Sequence, residues 1–391
     1  MKKEKSLVYI LIIGIILGSV FFIIRGQIFA SAFEVTDELG GNIFPSAILA
    51  VATTDTVIVK PANPQYLGDP KGGFMIKIKS NKSMSKVRIV IAKTPFFDQS
   101  ITDFILDKAD STYQLFPNVI WNYQALKNNT QPTPVSVSIS ATIDGKDAGN
   151  IVKNYSVRSV NECLLAYVDS KRKFHDTGIF FAAYVNEESP LISKILREAL
   201  DTRIVNSFVG YHYHTPSSVR RQVYALWNVL QRRNFKYSSV STTSLSSNIV
   251  YSQRVRTLDE SFNNSQINCV DGTVLFASLL RAIEIDPILV RVPGHMFVGY
   301  YLDKKHKQKE FLETTMVGDV NLDDFFPAEK LDSTMHQKSQ NEMSQMTFDK
   351  ALQYANNNFL KYEPRLKQHA RFCLFLPIVD DVRQYIQPIG K

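Results

Sequence analysis

The hydrophobic period changes once along this chain, near residue 170, so the two stretches must build their cores from different elements. Between about residues 46 and 169 apolar side chains alternate, as in "GFMIKIKS", "SKVRIVIAK", "PVSVSISATI" and "NYSVRSV", with turn residues at Gly72-Gly73, Pro132, Pro134 and Asp144-Gly145. Alternation with closely spaced turns predicts short strands, hence an all-β, immunoglobulin-like sandwich. Trp121 and Tyr123 are expected in its core. Further on, Val219, Val223, Leu226 and Leu230 recur at helical spacing behind Thr215-Pro216, a cap and first-turn pair. The expected class is therefore α+β, with a β-sandwich domain at 46–169 and a second domain at 170–391. In 391 residues, 45% of them hydrophobic, both domains have apolar material for a core.

Residues 7–24, "LVYILIIGIILGSVFFII", form a mostly apolar run. As a helix its 18 residues extend about 27 Å, close to the hydrocarbon thickness of a bilayer. Three lysines precede the run and Arg25 follows it. The positive-inside bias thus predicts a cytoplasmic tail at 1–6, a transmembrane helix at 7–24, a linker at 25–45 and an exported remainder. "ASA" at 30–32 has the form of a signal-peptidase site, but the run exceeds the roughly 7–15 apolar residues of a cleaved signal. A retained anchor is the favoured reading and a cleaved signal the alternative. The formal net charge of +8 is partly concentrated around the apolar run and otherwise spread thinly, so nucleic acid is not an expected partner.

Export permits disulfides, and three cysteines leave at least one thiol free or paired between chains. Cys163 in "SVNECLLAY" and Cys373 in "ARFCLFLPI" sit among apolar residues, as two buried thiols or as a bridge. Either outcome leaves Cys269 to be explained. His212 and His214 in "YHYHT" would share a strand face, but no Cys, Asp or Glu stands at convincing ligand spacing. No calcium-loop motif occurs either, so neither a metal nor any other cofactor is expected. The C-terminal "TFDKALQYANNNFLKYEPRLKQ" reads as a helix broken before Pro364, and "RFCLFLPI" as a closing strand.

The segment "NCVDGTVLFASLLRAIEIDPILVRVPGHMFVGY", residues 268–300, carries the chemistry. Val270, Val274, Leu275, Leu279 and Ile283 predict a helix that opens at Cys269, with Asp271 in its first turn. Helix N-termini favour anions, and so the thiolate, while their free N–H groups can receive an oxyanion. Gly272 costs about 1 kcal/mol relative to alanine in a helix, which points to a neighbouring backbone or substrate pressed against it. "ILVRV" then reads as a strand, Pro293-Gly294 as a turn, and "HMFVGYYLD" as a second strand that begins at His295. A turn centred on Lys304 sets Glu313 of "FLETT" directly opposite His295 on the same face, whereas a one-residue slip turns it away. A carboxylate there would orient the imidazole and stabilise its cation. Gln253 and Asn268 are further candidate oxyanion or substrate-binding donors. The Ser/Thr-rich stretch at 238–248 is expected as a loop bordering the cleft.

Cysteine at a helix start, histidine at a strand start and an acid on the next strand resemble the transglutaminase-like superfamily of papain-fold cysteine enzymes. The resemblance covers roughly residues 219–315 and rests on "NCVDGTVLFASLLRAI", "PGHMFVGYYLD" and "FLETT". It implies Cys269 as nucleophile, His295 as general base and acid, and Glu313 as the third member, where the family's usual residue is aspartate in a D-x-T context. It further implies acyl transfer from a protein or peptide amide to water or an amine. The competing expectation is a non-catalytic envelope protein, in which the β domain binds a partner and the second domain is a recognition scaffold.

Overall fold

A computed structural model describes residues 32–54, 65–233, 235–238, 243–264, 266–318 and 321–390. The apolar run at 7–24, and with it the expected anchor and tail, lies outside them. Among the described residues no helix is long and apolar enough to cross a membrane. The protein is mixed α+β and divides into two compact units. Of the described residues, one takes in 32–37, 65–122 and 134–156; the other takes in 38–54, 123–133 and 157–390.

In the first unit, Phe33–Thr36, Met75–Ser80, Ser111–Phe116 and Tyr66–Gly68 form one sheet in that order. Lys146–Val157, Thr133–Ile143, Ser85–Ile91 and Ser100–Leu106 lie in a second. Burial alternates along Met75–Ser80 and Ser85–Ile91, as period-two sequence requires of strands with one covered face. Asp144 and Gly145 both have positive φ, 50° and 78°, the backbone of a two-residue hairpin turn whose twist matches the strands it joins. Trp121 is buried and stacks on Phe74, which also packs edge-on against Phe97 and Tyr155. Tyr123, expected in the same core, is instead exposed and opens a short helix of the second unit.

The units divide differently from the expected 46–169 and 170–391. Pro45–Val51 is a helix, not a strand, and belongs to the second unit, where the Ser46 hydroxyl donates to the Glu162 carbonyl at 2.7 Å. The Glu162–Val168 strand joins Phe174–Asp176 and Val250–Arg254 in a sheet of that same unit. Alternation reports that a segment is a strand but carries no information about which sheet receives it.

The second unit holds helix α1 (Pro216–Arg232), strands β1 (Lys236–Tyr237) and β2 (Gln266–Ile267), helix α2 (Cys269–Ala282), strands β3 (Pro287–Val292), β4 (His295–Tyr301) and β5 (Lys309–Leu312), helix α3 (Gln340–Lys367) and strand β6 (Leu374–Pro377). The strands order as β5-β4-β3-β6, all antiparallel. Ala355 and Phe359 of α3 bury against Ile288, Val290, Phe297 and Phe311 of this sheet, while α2 packs on β3 and β4. The break expected before Pro364 is absent, since α3 runs through it to Lys367. So near the helix end the proline removes one N–H bond, to a carbonyl on Leu360, itself largely exposed.

Thr215 caps α1 by accepting from the Ser218 N–H, and Pro216 takes the first helical position. His212 and His214 lie in a turn, His214 with φ of 52°, and share no strand face. Cys163, Cys269 and Cys373 are all free thiols, and the first and last are buried.

Candidate active site

Cys269 is the first residue of α2 because the preceding asparagine closes a capping box. The Asn268 side-chain carbonyl accepts from the N–H groups of Val270 and Asp271, both at 2.8 Å, and the Asp271 carboxylate accepts from the Asn268 N–H at 3.0 Å. Asp271 also accepts from the Arg256 N–H at 2.8 Å and pairs with its guanidinium at 2.6 Å. Both partners are buried, which ties the start of α2 to the segment behind β2. Burial raises the Asp271 carboxyl above its ordinary range against the opposing pull of Arg256 and the backbone donors. The Gly272 N–H bonds the Asn268 carbonyl at 3.0 Å. Among the described residues the Cys269 N–H is thus the first-turn donor left without a partner.

His295 begins β4 after the Pro293-Gly294 turn, where Gly294 has a φ of 75°. Its Nε2 lies 2.6 Å from the Glu313 Oε2, and the Cys269 thiol stands near enough to the same imidazole to raise its pKa. Burial works against the imidazolium, but bonds and charge from Cys269 and Glu313 outweigh it and raise His295 to about 10. With Nε2 committed to the carboxylate, Nδ1 is the nitrogen that remains to exchange a proton with the thiol.

The route by which Glu313 reaches His295 differs from the expected one. β4 and β5 pair Val298 with Leu312 and Tyr301 with Lys309, so the turn centres on Lys305 and the register is shifted by two residues. Asp303 sets that longer turn, accepting from the N–H groups of Lys305, Lys307 and Gln308 at 3.0, 3.3 and 2.7 Å. An even shift keeps the face. Glu313 therefore lies one position past the ladder, level with Phe297, and reaches diagonally to His295 as the first residue before a 3-10 turn at Thr314–Val317. It is 0% exposed, its N–H bonds the Ala351 carbonyl at 3.2 Å, and Thr315 donates to its Oε1.

The same turn explains Gly272. A Cβ there would stand 2.6 Å from Thr314 Oγ1 and 2.9 Å from Thr314 Cβ, so the neighbour pressed against the helix is a fully buried side chain adjoining the acid. Gly272→Ala is expected to gain about 1 kcal/mol in helix propensity and lose about 1–3 to overpacking. Because Thr314 moves with Glu313, alkylation of Cys269 should slow more than the melting temperature falls. Parallel thermal denaturation and thiol labelling check this.

Gln253 and Asn268 are placed otherwise than the sequence suggested. The Gln253 amide donates to the Arg254 carbonyl at 3.0 Å, and Asn268 serves as the cap, although its buried Nδ2 finds no partner among the described residues. The loop at 238–248 lies partly outside the described residues; within it the Ser244 hydroxyl accepts from Arg158 at 2.9 Å. Tyr237, absent from the sequence reading, belongs to the site. β1 pairs parallel with β2, matching Tyr237 to Ile267, and Ser238 N–H bonds the Ile267 carbonyl at 2.9 Å. That sets Tyr237 opposite Ile267, two residues before Cys269 in the chain. Burial first, then the negative charge of Cys269 and Glu313, raises its phenol. A parallel pairing of two-residue strands has no periodic signature.

No family model, curated protein or solved structure gives a significant match to this chain.

Proposed function

We propose that this chain is a thiol enzyme of the transglutaminase-like type, acting on protein or peptide amides. The observation that carries the reading is one imidazole bonded to a fully buried Glu313 at 2.6 Å and raised by the neighbouring thiol of Cys269 at the start of α2. His295 takes the thiol proton, Sγ attacks the amide carbonyl, and the unpartnered Cys269 N–H receives the oxyanion. Collapse of the tetrahedral adduct expels the amine, which carries off the proton held by His295, and leaves a thioester on Cys269. Water, deprotonated by His295, then releases the acid and restores the thiol. Hydrolysis is favoured over transfer to an amine because no feature of the sequence would keep water from the thioester. In this proposal residues 7–24 anchor the chain in a membrane with its N-terminus cytoplasmic and the bulk exported. The first unit is then an immunoglobulin-like sandwich that engages an envelope partner.

Iodoacetamide at pH 6 tests the chemistry. Cys269 is expected to react far ahead of Cys163, which is 0% exposed and whose thiol is pushed strongly up by burial, and of buried Cys373. Equal, slow labelling of all three in folded protein would favour a scaffold without catalysis. A peptide mixture with and without a primary amine then separates hydrolysis from transfer: amine incorporation outrunning hydrolysis would reverse the order proposed.

A further inference from the structure

Both oxygens of the Glu313 carboxylate are engaged. Oε2 faces His295 Nε2 at 2.6 Å; Oε1 accepts from the Thr315 hydroxyl at 2.7 Å and from the Thr315 N–H at 3.2 Å. At 0% exposure this carboxylate depends on protein donors for its solvation, and the hydroxyl makes the shorter of the two bonds to Oε1. Few other charges face it. Tyr237 approaches from β1 and Cys269 from α2, while Asp271 on α2 is paired with Arg256. The buried faces of α1 and α3, which pack on the same 3-10 turn, carry no titratable side chain. Among the described residues, Thr315 and His295 are thus the side chains that bond this carboxylate.

We infer that Thr315 is a positioning residue for the thiol chemistry, its hydroxyl holding the Glu313 carboxylate turned so that Oε2 meets His295. The inference rests on the thiol-enzyme reading above. Without the hydroxyl the carboxylate is free to turn away from His295 Nε2, which leaves a state in which the imidazolium has lost its counter-charge and gives up its proton. In that state imidazole is neutral and no cation stands beside the thiolate. The thiolate then forms only at higher pH, while a thiolate once formed reacts as before. A hydrogen bond to a charged group is strong enough to shift such an equilibrium by about tenfold to a hundredfold.

The test is the rate of Cys269 carbamidomethylation by iodoacetamide against pH, read by mass spectrometry on the full chain. Thr315→Val, which keeps the shape and removes the hydroxyl, is expected to raise the midpoint by about one pH unit or more and to slow labelling at pH 6 about tenfold or more. Its alkaline plateau should match the parent's. Thr315→Ser should restore the parent midpoint, a recovery that loss of packing would not produce. Should the valine chain fail to fold by circular dichroism, Thr315→Ala against Thr315→Ser gives the same comparison. A folded valine or alanine variant with the parent midpoint overturns the inference and leaves the thiol-enzyme reading standing. A parent whose Cys269 labels no faster than Cys373 at pH 6 overturns both.

Discussion

Glu313→Gln is expected to leave the fold intact and to lower amide turnover by about 10²–10⁴-fold, the scale on which a triad acid matters when it becomes an amide. The amide keeps the shape but cannot balance the imidazolium that forms as His295 takes the thiol proton. Glu313→Asp is expected to behave more like the glutamine variant than like the parent. The two-residue register shift makes Glu313 a diagonal neighbour of His295, and diagonal pairs stand about 7–8 Å apart against about 4.5–5.5 Å for opposed ones. A side chain shorter by one methylene withdraws from that reach. Titration supplies a second readout. Since His295 is raised to about 10, its favourable contribution to the folded state is complete below its ordinary value of 6.5 and is lost as pH rises through about 10. In the glutamine variant that loss should come at lower pH. A variant as active as the parent, with an unchanged alkaline limb, would remove Glu313 from the mechanism.

Asp271→Ala is expected to have the largest effect on stability. Arg256 is 7% exposed and its guanidinium meets the Asp271 carboxylate at 2.6 Å, so truncation leaves a cation buried without a partner, a loss of about 3–5 kcal/mol. The capping box is lost too, and with it the N–H groups of Asn268 and Arg256 lose their acceptors. The melting temperature should fall by on the order of 10 °C. Replacing both members, Arg256→Met with Asp271→Asn, should cost less than Asp271→Ala alone, because the burial penalty of the cation goes with the cation. If the single and double variants melt together with the parent, the pair does not hold the start of α2.

Helix α2 starts where an N-cap asparagine precedes an apolar helical pattern, and Asp144-Gly145 turns where positive φ is cheapest. β3, β4 and β6 likewise fall on the apolar runs that announced them. These features depend on bonds within a few residues, so local sequence carries them. It also carried the parity of the β4–β5 register, because an odd shift would have turned Glu313 out of the core. The size of the shift was not legible, since it rests on how Asp303 gathers the N–H groups of Lys305, Lys307 and Gln308.

Nor could the pattern show the partner of Asp271, the ring of Tyr237 or the side chain against Gly272. Arg256, Tyr237 and Thr314 stand 15, 32 and 42 residues from Asp271, Cys269 and Gly272, and they meet only after β1 has paired with β2 and the 3-10 turn has settled on α2. The kinds of element, the face each presents and the identity of the thiol, imidazole and acid are thus written locally in the chain. Their distances, their charge states and the cap that aims them come from contacts between distant segments, for which a one-dimensional period has no term.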